Sequence, residues 1–288
     1  MTSDAAAKSG ASSAALRWQS QAVLLATVPI AGTWVTLAAG QDWQIHDPVL
    51  WQTAGISVAF AALVYVLRAA TLGAAITGGI FTAAIYLQTP GWRTALWPLL
   101  ALFLLTYATT RYGRGRKEAL GIAEGKGGRR ASQVAANLGV AVLAGIPQVA
   151  ERIGSFPVER AMLTTMIAAL AEATADTVSS ELGQVLGGEP RMVTTFRRVP
   201  AGTDGAVSWA GTFAGCLGAM IVVGIAALAL PMRRTDALIA LAAAVAGLFI
   251  DSLLGAVPER RGWLNNDAVN TVSTLAAALL AALLARTI

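Results

Sequence analysis

The stretch AEATADTVSSELG, residues 171–183, lies inside a chain otherwise dominated by apolar runs. It carries Glu172, Asp176 and Glu181 among alanines, threonines and serines. Read as a helix in lipid, it holds three carboxylates and almost nothing large. Ionisable groups inside a membrane are expensive, so by default they mark a ligand, a partner or a wet cavity. Glu172 and Asp176 are four residues apart and share a helical face. Ser180 continues that stripe, Ser179 flanks it, and Glu181 falls nearly opposite Glu172. Oxygen ligands at this spacing suit Mg²⁺, which takes one or two carboxylates and completes its shell with water and substrate phosphates. The small neighbours Ala171, Ala173, Thr174 and Ala175 leave room for a ligand near the backbone. The plainer alternative is a buried acid pair satisfied by Ser and Thr hydroxyls or by an Arg from another helix.

The surrounding composition decides which solvent this helix meets. Of 288 residues, 56% are hydrophobic and 13% charged, and the mean hydropathy is +0.61. That is too apolar for an ordinary soluble domain, so the expected fold is all-α, a polytopic transmembrane helical bundle. Candidate spans fall at about 18–39, 48–68, 71–88, 93–111, 131–150, 159–185, 207–230, 236–256 and 267–287, about nine in all, each near the ~20 residues a bilayer needs. Residues 1–17 read as a disordered polar tail, and residues 18–288 as a single membrane domain. The first span is expected to be retained rather than cleaved as a signal peptide. The Ala- and Gly-rich spans imply close helix packing. One cysteine, Cys216, excludes an internal disulfide, and one histidine, His46, excludes a histidine metal cluster.

The basic residues orient the bundle. With nine spans, the N-terminal side and alternate loops hold fifteen of the 21 Lys and Arg. This bias puts the N-terminus in the cytoplasm and the C-terminus on the opposite side. The three polar loops near 112–130, 186–206 and 257–266 then all come out cytoplasmic.

Those loops and their flanks carry the remaining chemistry. In GKGGRRASQVAANLG, residues 125–139, Lys126, Arg129 and Arg130 lie among glycines just before a helix. Exposed glycine amides and a helix N-terminus favour phosphate, although the Walker A spacing is absent and plain membrane anchoring would use the same bases. Arg114, Arg116 and Lys117 fit anchoring better than ligand binding. Residues 189–211 bring Arg191, Arg197 and Arg198, then GTDGAVS, whose Gly202 and Gly205 bracket Thr203 and Asp204 as in a turn. Ser208 is placed to cap the next helix. Asp251 is the one charge late in its apolar run. Asn265, Asn266, Asp267 and Asn270 crowd the start of the last span, where Asp267 would serve either as helix cap or as ligand.

Carboxylates at one end of a bundle, bases and glycine amides for phosphates, and asparagines able to read a base or ribose suit phosphoryl or nucleotidyl transfer onto a lipid. At these motifs the sequence resembles the membrane family of plant phytyl-phosphate kinase, long known as a domain of unknown function. The resemblance is carried, in order, by KGGRRASQVAANLG, AEATADTVSSELG, GTDGAVSWAGTFAG, DSLLGA and NNDAVNTVST. Leu138, Asp204 and Ala206 depart from the family's expected Gly, Asn and Gly. The resemblance implies a multi-span kinase that converts an isoprenoid monophosphate, phytyl or polyprenyl, to its diphosphate with CTP as expected donor and Mg²⁺ as cofactor.

On this basis Glu172, Asp176, Glu181, Asp251 and Asp267 are expected at metal. Lys126, Arg129, Arg130, Asn137, Thr203, Asn266 and Asn270 are expected at nucleotide and phosphate. Asp176, Glu172, Lys126 and Asp251 are expected to carry the chemistry. The expected partners are the membrane lipid substrate and the nucleotide, with no nucleic acid, and a homodimer is compatible with the pattern. The alternatives are a lipid-alcohol kinase or cytidylyltransferase using the same site, and an ion-coupled transporter whose acids bind cations, which would need access to them from both faces.

Overall fold

The structure, a computed structural model, describes residues 16–41, 48–123, 125, 127–153 and 157–287. Most of the 1–17 tail, His46 and Lys126 lie outside these described residues. The main helices are α1 (Arg17–Gln41), α2 (Pro48–Val66), α3 (Leu72–Gln88), α4 (Leu96–Arg111), α6 (Ala131–Ala144), α8 (Val158–Leu186), α9 (Trp209–Ala229), α10 (Arg234–Leu254) and α11 (Asn266–Ala285). Two short helices, α5 (Arg114–Ala119) and α7 (Pro147–Ile153), lie in connections. A π-helical turn, Gly255–Glu259, extends α10.

Each expected span corresponds to one main helix, but the fifth is shorter than expected. It stops at Ala144, because Pro147 lacks the N–H that would continue the ladder and starts α7 instead. Among the described residues, α1, α2, α9, α10 with its π turn, and α11 are long and apolar enough to cross a membrane. Helices α3 and α6 are apolar but shorter.

Helix α8 forms the core. Every residue from Ala161 to Ala175 is buried, in keeping with a helix that is small or apolar all round. It packs on α4, α6, α9, α10 and α11. Its buried threonines are satisfied locally: Thr164 and Thr174 donate to the carbonyls of Arg160 and Leu170. Helix α9 approaches closely because Gly211 and Gly215 carry no side chain; a Cβ on Gly215 would lie 2.6 Å from the Ala175 carbonyl oxygen.

Interhelical contacts fix the directions of the helices. Gln19 at the start of α1 donates to the Trp263 carbonyl just before α11, and the Asn265 amide donates back to Gln19. Arg111 at the end of α4 donates to Leu67 after α2. Arg129 before α6 bonds through its backbone to Ala69 and Thr71, between α2 and α3. Thr110 at the end of α4 donates to Glu181 near the end of α8. Ser208, which caps α9 as its position suggested, packs against Gly183 and Gly187 of the α8 terminus. Gly205 packs on Ala256 after α10. These contacts bring one end of each of the nine main helices to a single face, and the helices alternate in direction. At the far end the half-buried Arg160 and the buried Asp236 pair at 2.7 Å between the starts of α8 and α10. Those two helices therefore run parallel.

Residues 190–208 depart from the all-helical expectation. A two-stranded antiparallel ribbon, β1 (Arg191–Met192) with β2 (Ala206–Val207), folds across the motif face. Its turns need left-handed backbone at Gly202 and Gly205, with φ of +81° and +73°.

Candidate functional site

A polar cavity of about 350 Å³ opens on the motif face. Its walls come from Arg129 before α6 with Gln133 and Asn137 of it, α8 (Asp176 to Gln184), the segment from Ala201 to Ser208 that carries β2, α10 and its π turn (Asp251, Ser252, Glu259) and α11 (Asn266, Asn270). Five stretches separated by up to 140 residues of sequence thus meet at one place.

Asp176 and Asp251 both line this cavity, near enough for their carboxyls to interact. Glu259 lies within Coulombic reach of both, and Arg129 of Asp176. Arg129 also reaches the Thr177 hydroxyl, at 3.4 Å. Asn137 and Asn270 form a buried pair in which the Asn270 side-chain amide donates to Asn137 Oδ1 at 3.0 Å. Asn137 donates in turn to the Gln133 carbonyl. Thr203 lines the cavity while its hydroxyl donates to Pro200, and Asn266 lies at the rim.

Other expected residues fall elsewhere. Glu172 is 1% exposed and sits one turn behind Asp176. It fits there only because residue 247 is glycine: a Cβ at that position would lie 2.5 Å from Glu172 Cγ. The Ser273 hydroxyl lies beside Glu172 and Asp251, but neither Glu172 oxygen nor Asp251 Oδ2 meets a partner in full hydrogen-bond geometry. Asp267 is buried in the first turn of α11 with Oδ2 unpartnered, outside the cavity wall. It is not the cap of that helix. Asn265 is, accepting from the Ala268 amide at 2.9 Å. Arg130 is exposed at the N-terminus of α6, where its amide donates to the Gln133 side chain, and it does not line the cavity. Among the described residues, no three acids form a ready-made metal cluster.

Lys117 was expected as a membrane anchor and is instead 1% exposed. Its ammonium donates to the Thr109 and Thr110 carbonyls and pairs with Glu181 at 2.5 Å. Nothing local sets Lys117 apart from its basic neighbours in sequence. Only the turn at Gly113, with φ +63°, swings α5 inward against the end of α8. Glu259 is a second cavity residue that sequence reasoning passed over, because its position within a long loop suggested solvent.

The electrostatics follow from these pairings. Glu181 is matched by Lys117, and Asp204 lies beside Arg260. Asp176, Asp251 and Glu259 remain against Arg129, three carboxylates to one guanidinium. Acids crowded together at one end of a membrane bundle are costly, and this surplus would suit one divalent cation. Two carboxylates suffice for Mg²⁺ when phosphates supply the other ligands.

The model of the integral membrane protein family DUF92 matches residues 55–278, which contain every wall of the cavity. The chain belongs to that family. It is an integral membrane protein, as its helices and its relatives both indicate. Among DUF92 relatives, the uncharacterized membrane protein MJ0933 of Methanocaldococcus jannaschii is 36% identical over 65% of this chain and 74% of its own length. Protein VTE6, chloroplastic, of Arabidopsis thaliana is 28% identical over 81% of this chain and 72% of its own. The uncharacterized membrane protein sll0875 of Synechocystis is 32% identical over 66% and 73%. No solved structure matches the chain. The family expected from the motifs is therefore the family found.

Proposed function

We propose that this DUF92 protein is a membrane phosphotransferase that converts an isoprenoid monophosphate, phytyl or polyprenyl, to its diphosphate with CTP as donor. An oxygen of the lipid phosphate attacks the donor's γ-phosphorus, the bond from that phosphorus to the β-bridging oxygen breaks, and CDP leaves. The observation that carries the proposal is the convergence of the acidic helix, the glycine-rich basic stretch, the ribbon and the two C-terminal motifs on one cavity. The resemblance to the phytyl-phosphate kinase family supplies the substrate class and the donor.

Asp176 and Asp251 would hold Mg²⁺, which when bound neutralises phosphate charge. The unpartnered Asp251 oxygen and the surplus of carboxylates fit that ion. Arg129 would orient the transferred phosphate, assisted by the N-termini of α6, α9 and α11, whose dipoles end on this face. Asn137, Asn270 and Asn266 would hold the base or ribose. The ribbon would cover the nucleotide and limit water. Helix α8 is buried throughout from Ala161 to Ala175, between the cavity and the Arg160–Asp236 pair, about 24 Å away along the axis. That supports an enzyme served from one face over an ion path open to both.

Nine alternating membrane crossings with the cavity face in the cytoplasm are part of this proposal, and the alternating helix directions and the basic bias of that face support them. The test is purified protein in lipid nanodiscs, supplied with isoprenoid monophosphates and γ-labelled CTP or ATP, with and without EDTA. Label in the lipid diphosphate, faster from CTP and abolished by EDTA, is expected. No transfer from either nucleotide to any isoprenoid phosphate would overturn the proposal.

A further inference from the structure

A second crevice adjoins the polar cavity and shares Arg129 and Asn137 with it. Its walls are apolar, formed by α2, α3, α4 and α6, and its mouth on the motif face carries Arg68, Arg111 and Arg129. Arg111 is held in place there: it lies 4.4 Å over the Tyr107 ring and donates to the Leu67 carbonyl. From Arg111 to Leu99, along α4, the crevice runs twelve residues, about 18 Å, but its open volume is only about 100 Å³, so a tail enters it as the apolar walls part. That is slightly more than one leaflet of a ~30 Å hydrocarbon core. At its inner end Phe60 and Leu99 also line a further apolar chamber of about 490 Å³, which extends toward the far face. Phe60 and Leu99 thus form a waist between two cavities. The Phe60 and Phe103 rings meet edge to face at 5.5 Å where α2 faces α4.

We infer that this crevice takes a single-tailed lipid with an anionic phosphate head, and that Phe60 and Leu99 set the tail length it accepts. The occupant follows from the chemistry of the two ends. Guanidinium groups at the mouth match a phosphate, and the apolar walls match a hydrocarbon tail one leaflet long. The shared Arg129 sets the head against the polar cavity, where the proposed donor would lie. The inference rests on the phosphotransferase proposal for the meaning of that adjacency, and its test uses no nucleotide.

Competition binding in detergent, with tritiated geranylgeranyl monophosphate as probe, compares farnesyl, geranylgeranyl and nonaprenyl monophosphates, geranylgeraniol and phosphatidic acid. Leu99→Trp should shift preference toward farnesyl, and Phe60→Ala should improve nonaprenyl binding, each by about tenfold. Arg68→Ala and Arg111→Ala should weaken the monophosphates about tenfold and geranylgeraniol hardly at all. Phe60→Leu and Leu99→Phe replace any variant that fails to fold by circular dichroism. A tail-length profile unmoved by either waist residue would overturn the inference. So would phosphatidic acid competing as well as geranylgeranyl monophosphate, or equal losses for alcohol and phosphate in the arginine variants. If these binding rules hold and no label moves from CTP or ATP, the phosphotransferase proposal falls and the crevice assignment stands. If label moves and the profile ignores Phe60 and Leu99, the reverse is true.

Discussion

Replacing Gly215 with alanine should separate fold from function in one atom. The added methyl would lie 2.6 Å from the Ala175 carbonyl oxygen and 2.8 Å from Ser179 Cβ. Both belong to helix backbone or its first side-chain atom, so neither can rotate away. Ordinary contact begins near 3.4 Å, so α9 must retreat from α8 by about 0.8 Å at that level. Overpacking of this kind costs about 1–3 kcal/mol, and the helix preference of alanine over glycine returns about 1 kcal/mol. The net loss of stability is therefore about 0–2 kcal/mol, which leaves a folded protein. Asp176 lies between the two contact points, and a shift of nearly an ångström in a positioned carboxylate costs up to about a hundredfold in rate. The control is Gly224→Ala on the same helix, where nothing lies within 4 Å of the new methyl. Thermal unfolding in detergent and labelled-phosphate transfer would be measured on both. Gly215→Ala should keep most of its stability and lose about ten- to a hundredfold in turnover, and Gly224→Ala should change neither for the worse. Identical behaviour of the two variants would refute the claim that the glycine contact sets the cavity wall.

Asp176→Asn should abolish transfer at saturating Mg²⁺ while the protein still purifies folded; near-normal turnover would remove Asp176 from the metal assignment. Lys117→Ala strands Glu181 and should destabilise by about 3–5 kcal/mol, with Lys117→Ala/Glu181→Gln recovering part of that loss in denaturant titrations. Arg160→Leu should lower stability by a similar amount with little change in nucleotide KM, because its partner Asp236 lies at the far end of the bundle; a KM effect as large as that of Arg129→Ala would contradict the separation. Impermeant labelling of single cysteines at Arg198 and Asn265, in a Cys216→Ser background, should fail from outside intact cells; labelling there would reverse the proposed orientation.

The helices were legible in the sequence because hydropathy and length report each one locally, and the one clear boundary error came at Pro147, a local signal given too little weight. The cavity was legible in part. Asp176, Asp251, Arg129, Asn137 and Asn270 stood out because a polar group in an apolar run has few structural uses. Lys117 did not stand out, since a lysine in a basic loop looks the same whether it reaches solvent or turns inward. Its burial depends on Gly113 and on Glu181, 64 residues later. The capping role of Asn265 was also hidden: two adjacent asparagines and an aspartate at a helix start are each competent caps, and the contact of Asn265 with Leu16 and Ser20 of the α1 terminus decides between them.

The position of Glu172 shows why the acidic helix needs so many small residues. An acid buried one turn behind the cavity, with only the Ser273 hydroxyl beside it, is costly in a membrane helix. Gly247 clears the space for its side chain, and Asp176 and Asp251 both lie within Coulombic reach of it. Glu172 therefore sits behind the pair that faces the cavity, without itself reaching the cavity wall. Under the proposed metal assignment, a cation held by Asp176 and Asp251 would offset the charge of the pair it joins. Under that assignment, the acids that are costly without a ligand would favour a divalent ion with phosphates attached. The glycines at positions 215 and 247 are what allow α8 to carry this charge while packed on every side.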